Sequence, residues 1–72
     1  MRKVPITTEF IRLQELLKFA ALVSTGGEAK LMIAGGGVSV NGEACTQRGR
    51  KIRPGDVVRC QGEELTVRYA DR

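Results

Sequence analysis

Leu13, Leu16, Leu17 and Ala20 recur at intervals of three and four, which sets these apolar side chains on one face of a helix. The spacing predicts a helix from about Leu13 to Ala21. Just upstream, Glu9 to Arg12 is rich in β-forming residues and predicts a short strand or extended arm, with residues 1–8 as an extended N-terminal arm before it. A second helix opens at Thr25, because Thr25 followed three residues later by Glu28 is a capping box, with Ser24 as a competing cap one residue earlier. Ala29, Met32 and Ile33 give this helix its apolar stripe, and Gly35 to Gly37 stop it. With a tight turn over Leu22 to Ser24, the pair makes an αα-hairpin.

After Gly37 the apolar period shortens to two. Val38 and Val40 lead into Asn41-Gly42, a strong hairpin signal. The register stays open: a two-residue turn puts Cys45 on the valine face, and a three-residue loop puts Ala44 there. Arg53-Pro54-Gly55-Asp56 reads as a second turn, Val57 to Cys60 as a strand, and Gln61-Gly62 as a third turn. Leu65, Val67 and Tyr69 then alternate with Thr66 and Arg68 in a last strand over about residues 64–70. Helices first and strands afterwards predict an α+β fold, an αα-hairpin followed by a small antiparallel β-sheet, in a single domain spanning residues 1–72 with its motif core at about 9–60.

Charge sharpens this outline. The chain has 72 residues, with 12 Lys and Arg against 8 Asp and Glu, a net charge of +4. Arg48, Arg50, Lys51 and Arg53 stand within six residues with no acid among them, which favours a binding patch for an anionic partner over a merely solvated face. No apolar run approaches the ~20 residues of a membrane span, and Arg2 and Lys3 are followed by Pro5 and polar residues in place of a signal-peptide segment, so the cytoplasm is the expected location. Cys45 and Cys60 lie fifteen positions apart in a chain without histidine, which removes a zinc site and leaves a buried reduced pair, or else a disulfide or redox role.

Catalytic chemistry finds no foothold. There is no histidine, no Gly-x-Ser-x-Gly elbow and no carboxylate pair forced together, since Glu63-Glu64 beside a turn is expected to be solvated. No cofactor is implied. The stretch Ser24-Thr25-Gly26-Gly27-Glu28-Ala29-Lys30 lacks the spacing and the preceding strand of a nucleotide-binding loop. It reads as a helix cap, or as a cap whose free N–H groups also hold a nucleic-acid phosphate with Lys30 close by and Lys18 projecting from the first helix. Phe10, Phe19 and Tyr69 are the only aromatics; core packing accounts for Phe10 and Tyr69, and Phe19 falls off the apolar stripe. Such a composition points away from a base-stacking platform and toward phosphate and shape recognition of folded RNA.

From Arg12 to Asp56 the chain resembles the α-L RNA-binding motif, the domain named after ribosomal small-subunit protein four. The resemblance rests on Arg12, Leu13 and Leu17; on Ser24, Ala29 and Ile33; on Gly36, Val38, Val40, Asn41 and Gly42; and on Pro54, Gly55 and Asp56. It looks closer still to the small stand-alone bacterial YaaA/YbcJ-like branch. Two positions depart from the pattern: an aspartate of the family is Gln14 here, and an RNA-contacting arginine falls at Gly26, which shifts the expected contact to backbone N–H groups and Lys30. The resemblance implies a non-catalytic RNA-binding protein that grips the backbone of structured RNA, ribosomal or transfer RNA. Lys18, Lys30, Arg48, Arg50, Lys51 and Arg53 would meet phosphates, Arg12 and Asn41 would assist, and Ser24, Thr25, Gly26 and Gly27 would offer hydroxyls and backbone donors. Two other readings use the same charge: an adaptor that docks an acidic protein partner in ribosome assembly or DNA replication, and a general duplex-DNA binder.

Overall fold

A computed structural model describes residues 2–70. In chain order the elements are β1 (Arg2–Ile6), β2 (Ile11–Arg12), α1 (Leu13–Phe19), α2 (Gly26–Ala34), β3 (Val38–Val40), β4 (Glu43–Ala44), β5 (Lys51–Ile52), β6 (Val57–Cys60) and β7 (Glu63–Tyr69). The fold is α+β: the two helices, with the C-cap Ala20 of the first, supply Leu13, Leu16, Leu17, Ala20, Ala29 and Ile33 to a core whose other side is Val4, Ile6, Val38, Val40, Val58, Leu65 and Val67 from the sheet. The helical and the alternating apolar patterns therefore meet face to face, each burying the stripe its period creates.

The sheet runs in the order β1-β7-β6-β3-β4, with β2 and β5 forming a separate two-stranded pair. It is mixed, not wholly antiparallel as the strand order in sequence suggested. Residues Arg2–Ile6, within the stretch read as an extended arm, pair parallel with β7, Val4 opposite Val67. Val4 and Ile6 alternate with exposed neighbours and are buried, and that burial recruits the arm into the sheet. Pro5 is tolerated because β1 is an edge strand, where a missing N–H leaves no gap in a central ladder.

Each helix ends where its backbone turns left-handed. In α2, Gly36 takes φ +81, and the N–H groups of Gly36 and Gly37 reach the carbonyls of Ile33 and Met32, a Schellman closure. The same pattern ends α1, two residues before the expected Ala21: Ala21 and Leu22 donate to Lys18 and Leu17, and Ala21 itself sits at φ 61. Here a β-carbon occupies a conformation that suits glycine.

The strand turns resolve the open register. Asn41 and Gly42 both have positive φ, as a two-residue type I′ turn requires, and Val40 pairs with Glu43. Cys45 consequently joins the valine face, buried and donating its N–H to Val38, while Ala44 is exposed. Both cysteines are free; the Cys60 thiol touches the Met32 sulfur at 2.9 Å, and burial, then the charge of Glu63, pushes it above its ordinary value. Tyr69 departs from expectation: it continues the alternation of Leu65 and Val67 yet is 53% exposed.

Replacing Ala21 with glycine removes left-handed strain of roughly 1–2 kcal/mol and adds a smaller unfolded-state entropy cost. A rise of about 2–6 °C in the thermal midpoint, followed by circular dichroism, is the expected result. An unchanged or lower midpoint would show that Ala21 is not strained.

Candidate nucleic-acid interface

The basic run is held against the start of α1. Arg12 is the N-cap residue but its side chain makes no cap, so the first helical N–H groups look elsewhere. Leu13 donates to the Arg50 carbonyl at 2.9 Å and Gln14 to the Arg48 carbonyl at 3.1 Å. One residue earlier, β2 pairs with β5, Ile11 opposite Ile52 and Arg12 opposite Lys51. Ile52 is buried and anchors the run, whereas Arg48, Arg50, Lys51 and Arg53 are exposed around it. The Arg50 N–H closes a turn onto Gln47, and the Lys51 ammonium lies 4.9 Å from the centre of the Phe10 ring. Arg12, Arg48, Arg50 and Lys51 thus converge on the N-terminal end of α1.

Their charge is not cancelled. Among the described residues the ion pairs are Arg2 with Glu63, Lys18 with Glu15 and Arg59 with Glu64, and none engages Arg12, Arg48, Arg50, Lys51 or Arg53. Lys18 is partly neutralised by Glu15, 3.4 Å away one turn back on α1. Lys30 is exposed on α2.

A second group lies beyond the other end of α1, roughly 10 Å of helix away. Thr25 caps α2 by accepting the Glu28 N–H at 3.1 Å, and the Glu28 carboxylate accepts the Ser24 N–H at 2.6 Å. The hydroxyl half of the capping box is made at the N-cap Thr25, and the Glu28 carboxylate reaches Ser24, one residue before it, so a carboxylate already stands at this helix start. Gly26 and Gly27 leave the backbone open: a β-carbon at Gly26 would meet nothing within 4 Å.

Asn41 and Arg53 occupy a third region, where two turns are tied together. The Asn41 amide donates to Asp56 at 3.1 Å and its oxygen accepts the Val57 N–H at 2.9 Å, while the other Asp56 oxygen accepts the Arg53 N–H at 2.8 Å. Both ends of the Asn41 side chain are spent inside the protein, so it acts as a brace between the hairpin turn and the Arg53–Asp56 turn that presents Arg53. Phe10, a platform for Lys51, and Glu28, a carboxylate beside the helix start, are members of the surface that the residue patterns did not single out for it. Nothing local marks Phe10, whose partner lies forty-one positions on. Among the described residues no cluster of His, Cys, Asp or Glu could hold a metal, and no helix is long and apolar enough to cross a membrane.

This chain belongs to the S4 domain family, whose model matches residues 4–68. Over 59 residues, 82% of this chain and 83% of the relative, it is 42% identical to the probable ribosome maturation protein RlbA of Bacillus subtilis (strain 168). Its structure is similar to the solution structure of YbcJ from E. coli, described as having an α-L motif involved in RNA-binding, with a TM-score of 0.72 and 30% identity over 94% of this chain and 87% of that one. The 30S ribosomal protein S4e from Thermoplasma acidophilum matches with a TM-score of 0.68 over 90% of this chain and 34% of that one; at 23% identity that likeness is one of fold.

If Asn41 is a brace, Asn41→Ala should lower stability by about 1–2 kcal/mol, for two lost side-chain hydrogen bonds, in a urea titration. RNA affinity at fixed salt, measured where the variant stays folded, should be as it was. Weaker RNA binding with unchanged stability would instead make Asn41 a contact residue.

Proposed function

We propose that this protein is a non-catalytic RNA-binding protein of the cytoplasm that grips the phosphate backbone of structured RNA through its αα-hairpin and its Arg/Lys-rich loop. One observation carries the reading: four cations without an ion pair among the described residues are fixed by backbone hydrogen bonds and a strand pair at the positive end of a helix. Like charge gathered there is unfavourable in the free protein, by about 0.3–1 kcal/mol per group, and becomes favourable once an anion arrives. Guanidinium groups suit phosphate because they offer paired N–H donors in one plane.

Lys18, Lys30 and the open backbone at Gly26 and Gly27 extend the surface along the hairpin, so the bound strand follows α1 from one group to the other. The name of the Bacillus relative supports ribosomal RNA, met during ribosome maturation, over transfer RNA. The RNA-binding α-L motif described for YbcJ supports RNA over a protein partner or duplex DNA.

Phosphate contacts release counterions, so affinity should fall linearly with salt on logarithmic axes. Replacing Arg50 and Lys51 together by alanine should flatten that slope by roughly one to two units in filter binding to a structured ribosomal RNA fragment. An unchanged slope removes the loop from the interface. In the opposite direction, Gly26→Arg fills open space and adds a cation at the start of α2; it should steepen the slope by about 0.7–0.9 and tighten binding. A slope left unmoved would separate the α2 start from the RNA path.

A further inference from the structure

Along one flank of α1 the surface becomes largely apolar. A cleft of about 230 Å³ is lined by Pro5, Ile6, Thr7, Thr8, Ile11 and Phe19. It spans the flank of α1: Ile11 precedes Arg12 at one end, and Phe19 closes the helix at the other. Phe19 is 61% exposed, a large apolar ring that no packing in the fold accounts for. Arg12, in extended backbone, immediately precedes α1, and Phe19 ends the helix two turns further on. Glu15, which lies between them in the chain, pairs with Lys18 at 3.4 Å.

We infer that this cleft receives an unpaired nucleobase of the bound RNA, stacked on Phe19, while Arg12 and the basic loop hold the adjoining phosphates. The inference rests on the RNA-binding reading and extends it from backbone to base. Three features of the cleft fit a base better than another occupant. An apolar wall with one open aromatic face is what base stacking uses. The Thr7 hydroxyl takes part in none of the hydrogen bonds found among the described residues, and the Thr8 hydroxyl, which donates to the Phe10 carbonyl at 2.7 Å, keeps its acceptor capacity, so a polar base edge finds partners at the rim. Cations stand near the cleft although they do not line it: Arg12 follows Ile11 in the chain, with its side chain on the other face of the strand, and Lys51, opposite Arg12 in the strand pair, leans on Phe10. An apolar protein segment would gain nothing from that charge, whereas a nucleotide can reach round the strand to use both surfaces. Stacking tolerates any base, which makes the cleft a reader of single-strandedness and not of sequence.

The test compares two RNA probes carrying equal numbers of phosphates, a fluorescein-labelled hairpin with a single-stranded loop and a fully paired duplex. The unsubstituted protein should prefer the hairpin. Phe19→Ala should weaken hairpin binding about tenfold, leave the duplex unaffected and keep the salt slope, because a stacking surface has been lost and no charge. The chain has no tryptophan, so Phe19→Trp adds a single reporter whose fluorescence should be quenched by the hairpin and not by the duplex. Hairpin binding that is unchanged in Phe19→Ala, or an indole signal in Phe19→Trp that ignores bound hairpin, overturns the inference and leaves the backbone-binding reading standing. Failure of the unsubstituted protein to bind either probe overturns both.

Discussion

Two hydrogen bonds from the first turn of α1 to the carbonyls of Arg48 and Arg50 hold the basic loop in place. A helix start must find acceptors for its N–H groups, and Arg12 supplies none from its side chain. The loop thereby becomes the helix cap. Its side chains are left on the outside because its backbone faces inward, and the adjoining β2–β5 pair together with buried Ile52 prevents the loop from sliding along the helix. Guanidinium groups on long side chains gain specificity only when their Cα atoms are fixed, and here the same bonds that finish the helix fix them.

The ends of the helices show how little freedom the remaining surface has. At the start of α2, Thr25 accepts the Glu28 N–H and Glu28 accepts the Ser24 N–H, and Schellman closures finish both helices. These are short-range devices, each worth about 1 kcal/mol, yet together they set the direction in which Lys18 and Lys30 project. The Asn41–Asp56 brace does the same for Arg53 over a longer sequence distance, joining turns fifteen residues apart.

What could be read from the residues alone divides by the range of the interaction. The capping box, the glycine stop, the Asn-Gly turn and the apolar face of α1 are encoded within a few positions and were legible. The parallel pairing of β1 was not, because Arg2 to Ile6 carry only two core residues and their partner lies at the far end of the chain. The site divides in the same way. The density of positive charge around Arg50 was visible at once, but its docking on α1 depends on backbone carbonyls, and carbonyls carry no residue signature. Phe19 could be seen to fall off the apolar stripe, although only the arrangement of β1 and β2 around it shows that its ring borders a cleft.

The parallel edge also bears on the order in which the molecule comes together. Arg2 lies opposite Leu65, so in a chain that emerges from its N-terminus first, β1 has no partner until β7 has been made. The helical hairpin and the β3–β4 turn involve near neighbours and form without waiting, whereas closing a loop of this length is entropically slow. The wall formed by Pro5 and Ile6 is then the last part of the surface to be assembled. A newly synthesised molecule would present its cations before it presents a finished cleft, and would meet polyanions through charge alone until its final strand arrives.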